Sequence, residues 1–254
     1  MSHLKVLAIG GHPDDMEQFC GGTLLLLQRA GCETIIAPLT AGECGSNELS
    51  AEEIKKVRAK EIIAGAAKIN AKSVCFGIRD GCVEYDLETT KKIVKLLREI
   101  QPDIVFTHPL LDYMTDHFHT GKLVLWAIPE AGHPNFIADT DAPALKAQPY
   151  LYQCDPQGLT GIDGQIARVN TIVDISDVIE EKLDAFQAHT SQMSFLKKDG
   201  GGKINNVEKT RRWAVTRGEQ VRVEYAEGFN EVLLAEYPRK NVLVELLKER
   251  VFTL

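Results

Sequence analysis

Two short stretches hold most of the side chains able to do chemistry. One is Gly10-Gly11-His12-Pro13-Asp14-Asp15-Met16-Glu17, just after the apolar run Leu4 to Ile9. The other is Thr107-His108-Pro109-Leu110-Leu111-Asp112-Tyr113-Met114-Thr115-Asp116-His117-Phe118-His119, at the end of the apolar run DIVFT. Zinc takes histidine nitrogen and carboxylate oxygen, and a catalytic zinc uses three protein ligands and keeps a position open. His12, Asp15 and His117 would supply that set. A second carboxylate beside the metal could take a proton from water whose pKa the metal has lowered, and Asp14 is the natural candidate. Each stretch also has a plainer explanation: Pro13 ends a strand, Asp14 or Asp15 caps a helix, and Asp116 caps a helix that begins at His117. Both stretches together, each at a predicted strand end, favour the metal site.

The elements that must position these residues follow from apolar spacing. Residues 4–9 suit a strand buried on both faces, and residues 17–30 a helix stopped by Gly31. Residues 34–39 form a second strand, followed by the loop TAGECGSNELS. Ser50 and Glu53 make a capping-box signature for a helix to about Ile69. A third strand covers residues 73–76, a helix 87–100 and a fourth strand 103–107, with a further helix from His117 to about Ile128. This alternation predicts a Rossmann-like, doubly wound, mostly parallel sheet in a three-layer α/β/α sandwich with right-handed crossovers. In such sheets ligands bind at the carboxyl ends of the strands. Further on, YLYQC and NTIVDI are expected as strands, 178–189 as a helix and 199–202 as a mobile turn.

The 254 residues suit one domain, 1–254, with a motif core at 1–130 and a less regular part at 131–254. A net charge of -7, from 29 basic and 36 acidic side chains, argues against nucleic acid as a partner. The Gly-Gly-His-Pro break comes too early for a secretory segment, and no apolar run nears the ~18 residues that span a bilayer, so a cytoplasmic protein is expected. Six scattered cysteines without CxxC spacing are expected to be reduced thiols, with Cys44 in a Gly-rich loop near the site. GGHPDD lacks both GxGxxG and GKS/T, and its carboxylates would repel a phosphate, which disfavours a nucleotide-binding module.

The segment LAIGGHPDDMEQFCGGTL resembles the signature of the LmbE-like, or PIG-L, family of zinc-dependent N-acetylglucosaminyl deacetylases. PDIVFTHPLLDYMTDH, Thr40-Ala41-Gly42-Glu43 and Tyr225-Ala226-Glu227-Gly228-Phe229 follow in the family's order, while 130–220 match weakly. The resemblance implies a hydrolase of linear amide C–N bonds with one zinc per chain on His12, Asp15 and His117. Asp14 would be the general base and Asp116 would support the ligands from behind. Arg58, Asp80 and Glu43 would lie near a small amino-sugar substrate, and the chain would form a trimer or hexamer. Arg58 also reads as a solvated charge on a helix rich in Lys and Glu.

One departure stands out. Many members carry His-Pro-Asp-His where this chain has Met114-Thr115-Asp116-His117, and that first histidine helps to stabilise the oxyanion or protonate the leaving amine. His108, His119 and His133 are the candidates to replace it, with proton return by Asp14 as the other route. Altered substrate handling is expected more than lost activity. The loop at 40–47 and the segment 132–141 are expected to wall the pocket. The alternatives are an amidase on a sugar-linked thiol conjugate or other N-acyl amine, and a metal-binding protein without catalysis.

Overall fold

In the computed structural model, which describes residues 4–198, 205–235 and 237–254, eight strands form one sheet. They are β1 (Lys5–Gly10), β2 (Glu33–Pro38), β3 (Lys72–Ser73), β4 (Ile104–Thr107), β5 (Tyr150–Cys154), β6 (Thr171–Asp174), β7 (Ala226–Glu231) and β8 (Val251–Thr253). The order is β3-β2-β1-β4-β5-β7-β6-β8. The first five run parallel, whereas β7 opposes both β5 and β6, and β8 opposes β6. The doubly wound, mostly parallel sheet is therefore present, extended at one side by antiparallel strands. The turn expected at 199–202 lies outside the described residues.

The period of two along the central strands explains the layers. Val6 and Ala8 of β1 enter one apolar cluster with α1 (Asp15–Arg29), the end of α2 (Ala51–Lys68) and, later in the chain, α5 (Ile179–Gln187). Leu7 and Ile9 enter the opposite cluster with α3 (Leu87–Ile100) and α4 (Thr115–Gly132). Burying Val6, Leu7 and Ile9 is worth roughly 1.5–3 kcal/mol each, so β1 is tied to both layers.

Local signals set most boundaries. Glu53 accepts hydrogen bonds from the Ser50 amide and hydroxyl at the start of α2, and Asp86 caps α3 by accepting from the Thr89 amide. Two helices begin earlier than expected: α1 starts at Asp15, and α4 starts at Thr115, so Asp116 and His117 sit in its first turn. α4 also runs past Pro129, whose missing N–H frees the Leu125 carbonyl; the Tyr237 hydroxyl donates to that carbonyl at 2.8 Å. The third strand is only two residues long, although backbone bonds from Val74, Phe76 and Ile78 continue the pairing beside β2.

Beyond residue 189 lie elements the apolar pattern does not show: α6 (Thr190–Lys198), α7 (Asn206–Val221), β7, α8 (Val242–Leu247) and β8. α7 buries Thr210 and Arg217 beside its few apolar residues, so no apolar stripe marks it. Charge fixes this half to the sheet. The buried Glu227 carboxylate accepts from the Gly22 and Thr23 amides of α1, from the Thr23 hydroxyl at 2.6 Å and from Lys182 of α5 at 2.7 Å. Beside it Arg217 of α7 pairs through two nitrogens with Asp155. Gly228 leaves room for that pair, because a methyl there would stand 2.6 Å from Asp155 Oδ2 and 2.8 Å from Arg217 Nε.

Removing one partner of a buried ion pair strands the other charge, so Glu227→Ala is expected to cost about 3–5 kcal/mol in urea unfolding. Arg29→Ala, which breaks an ion pair with Glu181 that is about half exposed on both sides, is expected to cost less than about 1 kcal/mol in the same measurement.

Candidate metal centre

β1 and β4 are adjacent and parallel, with Ile9 opposite Thr107, so the loops that follow them open side by side. Here the connections leave the sheet in opposite directions, β2 lying on one side and β5 on the other. The β1 loop carries His12 and leads into α1, whose first residue is Asp15; the β4 loop carries His108 and Asp112 and leads into α4.

Three donors converge at this edge. His12 Nδ1 is 3.1 Å from His117 Nε2, His117 Nε2 is 3.3 Å from Asp15 Oδ1, and His12 Nδ1 is 3.4 Å from Asp15 Oδ2. Ligands about 2.0–2.1 Å from a tetrahedral zinc stand ~3.3 Å apart, so the His12–His117 and His117–Asp15 Oδ1 separations match such an ion, and the donor types suit it. All three residues line a cleft of about 650 Å³, as does Asp14.

The electrostatics of the group call for positive charge. Burial alone would raise the Asp15 carboxyl, but the surrounding imidazoles, His117 foremost, hold it well below the usual carboxylate range. Burial would lower His117, yet Asp15 and Asp112 outweigh it and lift the imidazole to about 9. His108, wholly buried, goes the other way: desolvation and its neighbour His117 push it down to about 4, which keeps it neutral.

The far sides of the His12 and His117 imidazoles face carboxylates. Asp112 Oδ2 stands 3.0 Å from His117 Nδ1 and accepts from the Gln157 amide, while its other oxygen accepts from the Met114 amide. His12 Nε2 faces Asp80 at 3.3 Å and Asp116 at 3.5 Å. Asp116 is buried, accepts from the Gly81 and Val83 amides, and does not cap its own helix. A carboxylate on the second ring nitrogen fixes the tautomer and orientation of a ligating histidine.

Among the remaining expected residues, Arg58 is only 3% exposed, which replaces the solvated-charge explanation. Its guanidinium lines the cleft and bonds the Gly45 carbonyl and Gln192. Asp80 lines the cleft as well, held by the Cys44 amide. Glu43 is half-buried and does not line the cleft. None of the three histidines proposed for position 114 lines it either: His108 is inside the protein, His119 turns to the Val83 carbonyl, and the exposed His133 pairs with Glu130 at the other end of α4, roughly 27 Å of helix away. Met114 itself faces the cleft. Cys44 and Gly45 of the loop at 40–47 form part of the wall, whereas the segment 132–141, beside the far end of α4, does not.

The sequence reading missed Asp112 as the carboxylate behind His117, although it was in view within the second motif. It also missed the wall made by α6 and α7. Asn206, Lys209 and Trp213 recur at i, i+3 and i+7 on α7 and all face the cleft, with the Trp213 ring stacked 6.3 Å from Phe19. That spacing was the available signal.

Known proteins resemble this chain in sequence and structure. Residues 7–128 match the PIG-L family, described as GlcNAc-PI de-N-acetylase. A diacetylchitobiose deacetylase of Thermococcus kodakarensis is 34% identical over 203 residues, covering 74% of this chain and 70% of that protein. A 4-oxalmesaconate hydratase of Pseudomonas putida is 26% identical over 200 residues, covering 74% of each. Among solved structures, the N,N'-diacetylchitobiose deacetylase of Pyrococcus horikoshii has a TM-score of 0.77 at 30% identity, covering 91% of this chain and 84% of that one.

Loss of the carboxylate behind His117 is expected to loosen a bound metal. Asp112→Ala should lower zinc affinity roughly 10–100-fold in competition with a chelator, with Asp112→Asn intermediate because its amide oxygen still accepts a hydrogen bond.

Proposed function

The chain belongs to the PIG-L family of GlcNAc-PI de-N-acetylases, and from that membership and the geometry of the cluster we propose a zinc-dependent hydrolase that removes an N-acetyl, or other N-acyl, group from an amino sugar such as an N-acetylglucosamine derivative. The observation that carries this reading is the convergence of His12 Nδ1, Asp15 and His117 Nε2 on one point at the floor of a cleft that Asp14 also lines. When bound there, zinc supplies a lowered pKa for water and an electrophile for the amide carbonyl.

The chain's own groups divide the remaining work. Asp14, next to a ligand but outside the ligand set, takes the proton of the attacking water. With methionine at position 114, the same carboxyl returns that proton to the departing nitrogen. Asp112, Asp80 and Asp116 hold the two imidazoles in the tautomers that ligate. Arg58, fixed by Gly45 and Gln192, offers fixed donors to sugar hydroxyls, and Trp213 presents a ring at the wall for the apolar face of a sugar.

The hydratase relative supports a second reading, in which the same metal and base add water to a carbon–carbon double bond. Met114 is the observation on its side, since addition to carbon has no departing amine to protonate.

Zinc content and acetate release from a panel of N-acetylglucosamine compounds test the proposal. Wild type is expected to hold one zinc per chain and release acetate. His117→Ala should lose metal, and Asp14→Asn should keep metal while kcat falls by about 10²–10⁴. Zinc without acetate release from any compound would remove the deacetylase reading.

Gly42 sits at φ +68°, and a methyl there would run into the Arg58 guanidinium. Gly42→Ala is therefore expected to displace Arg58, raising KM while zinc content stays at the wild-type level, as steady-state kinetics and metal analysis on one preparation will show.

A further inference from the structure

His108 is wholly buried at the end of β4, faces no substrate and still touches two of the three donors. Its Nε2 stands 2.8 Å from Asp15 Oδ2. Its ring lies 3.8 Å from that of His117, centre to centre, at an interplanar angle of 10°. The edge of Phe19 closes one side at 5.5 Å. Gly121 of α4 allows this approach, because a methyl there would collide with the His108 carbonyl.

We infer that His108 is the positioning residue of the metal centre: it donates Nε2–H to Asp15 Oδ2, leaving Oδ1 for the metal, and its ring face braces the His117 imidazole. The inference rests on the proposed ligand set. Asp15 Oδ2 accepts from the His12 amide at 2.6 Å as well, so one carboxylate oxygen is committed to protein donors while the other faces His117. A carboxylate that could rotate would offer either oxygen, and the metal would have to order it on binding.

The competing arrangement is specific. The Gly11 amide is 3.0 Å from the same Nε2 and could donate to it only if that nitrogen carried no proton. The proton would then sit on Nδ1, which is buried and has no hydrogen-bond partner among the described residues, and the bare Nε2 would face a carboxylate oxygen at 2.8 Å. That arrangement strands a buried N–H and opposes two lone pairs. The Nε2–H tautomer leaves Nδ1 bare and costs the Gly11 amide its acceptor, but it keeps the charge-assisted bond to the Asp15 carboxylate, the stronger of the two competing interactions.

Two measurements test this. In demetallated protein, zinc affinity is read by chelator competition for wild type, His108→Leu and His108→Gln, and the visible spectrum of the cobalt-substituted forms reports the ligand geometry. The expected result is a roughly 10–100-fold loss for His108→Leu with an altered cobalt spectrum, and recovery of most of the affinity in His108→Gln, whose amide can still donate. Nitrogen-15 NMR of histidine-labelled wild type, which needs no variant to fold, is expected to show the Nε2–H tautomer at His108. Wild-type affinity and spectrum in His108→Leu, or an Nδ1–H tautomer in the wild type, would overturn the inference while leaving the ligand set intact. A wild-type protein that takes up no metal would overturn both.

Discussion

The carboxylate of Asp15 is the interaction on which the site depends. It is buried among His12, His108 and His117, where an unpaired anion could not be tolerated. His12 comes from the stretch after β1 and His108 and His117 from the stretch after β4, and the parallel adjacency of β1 and β4 brings the two stretches together. The sheet is in turn a consequence of apolar residues alternating to both faces of β1, so the core that drives folding is also what assembles the charges. Desolvation makes the attraction strong, and the carboxylates behind the imidazoles keep the histidines from turning away.

What the sequence made legible follows from this economy. The first half of the chain shows its elements because its central strands are buried on both faces and local signals mark its helices: the amphipathic α3 was read at its true bounds, and the capping pair at Ser50 and Glu53 marked α2. The grouping of His12, Asp15 and His117 was legible because the three lie within about ten residues of strand ends. Asp112 was harder, since its role depends on where the β4 loop carries it, and an acidic residue five positions before a histidine has many other uses. YLYQC, NTIVDI and 178–189 still showed β5, β6 and α5, but the elements beyond residue 189 were hidden for a physical reason. Their anchors are buried polar groups, Glu227 with Lys182 and Arg217 with Asp155, and these leave no apolar period to read.

The same contrast explains why the histidines proposed for position 114 do not serve there. Sequence distance placed His108, His119 and His133 as equals near the second motif. In three dimensions one points into the core, one turns to the backbone near Val83 and one lies at the far end of α4. A helix separates its ends by about 1.5 Å per residue, so the first turn of α4 belongs to the site and the last turn does not.

Ligands and wall thus come from parts of the chain that are built differently. His12, Asp15 and His117 are fixed by the parallel sheet and its first and fourth helices, and small displacements there would change the donor spacing. The opposite wall, with Gln192 on α6 and Lys209 and Trp213 on α7, is carried by helices outside the matched family region, α7 being joined to the sheet side by the buried Arg217–Asp155 pair, with the Lys182–Glu227 pair of α5 and β7 beside it. Replacing side chains along the exposed face of α7 leaves those ion pairs and the donor spacing untouched. Side chains on that face can therefore change without disturbing the donor cluster, which is a physical basis on which one scaffold can keep a common centre while its wall varies.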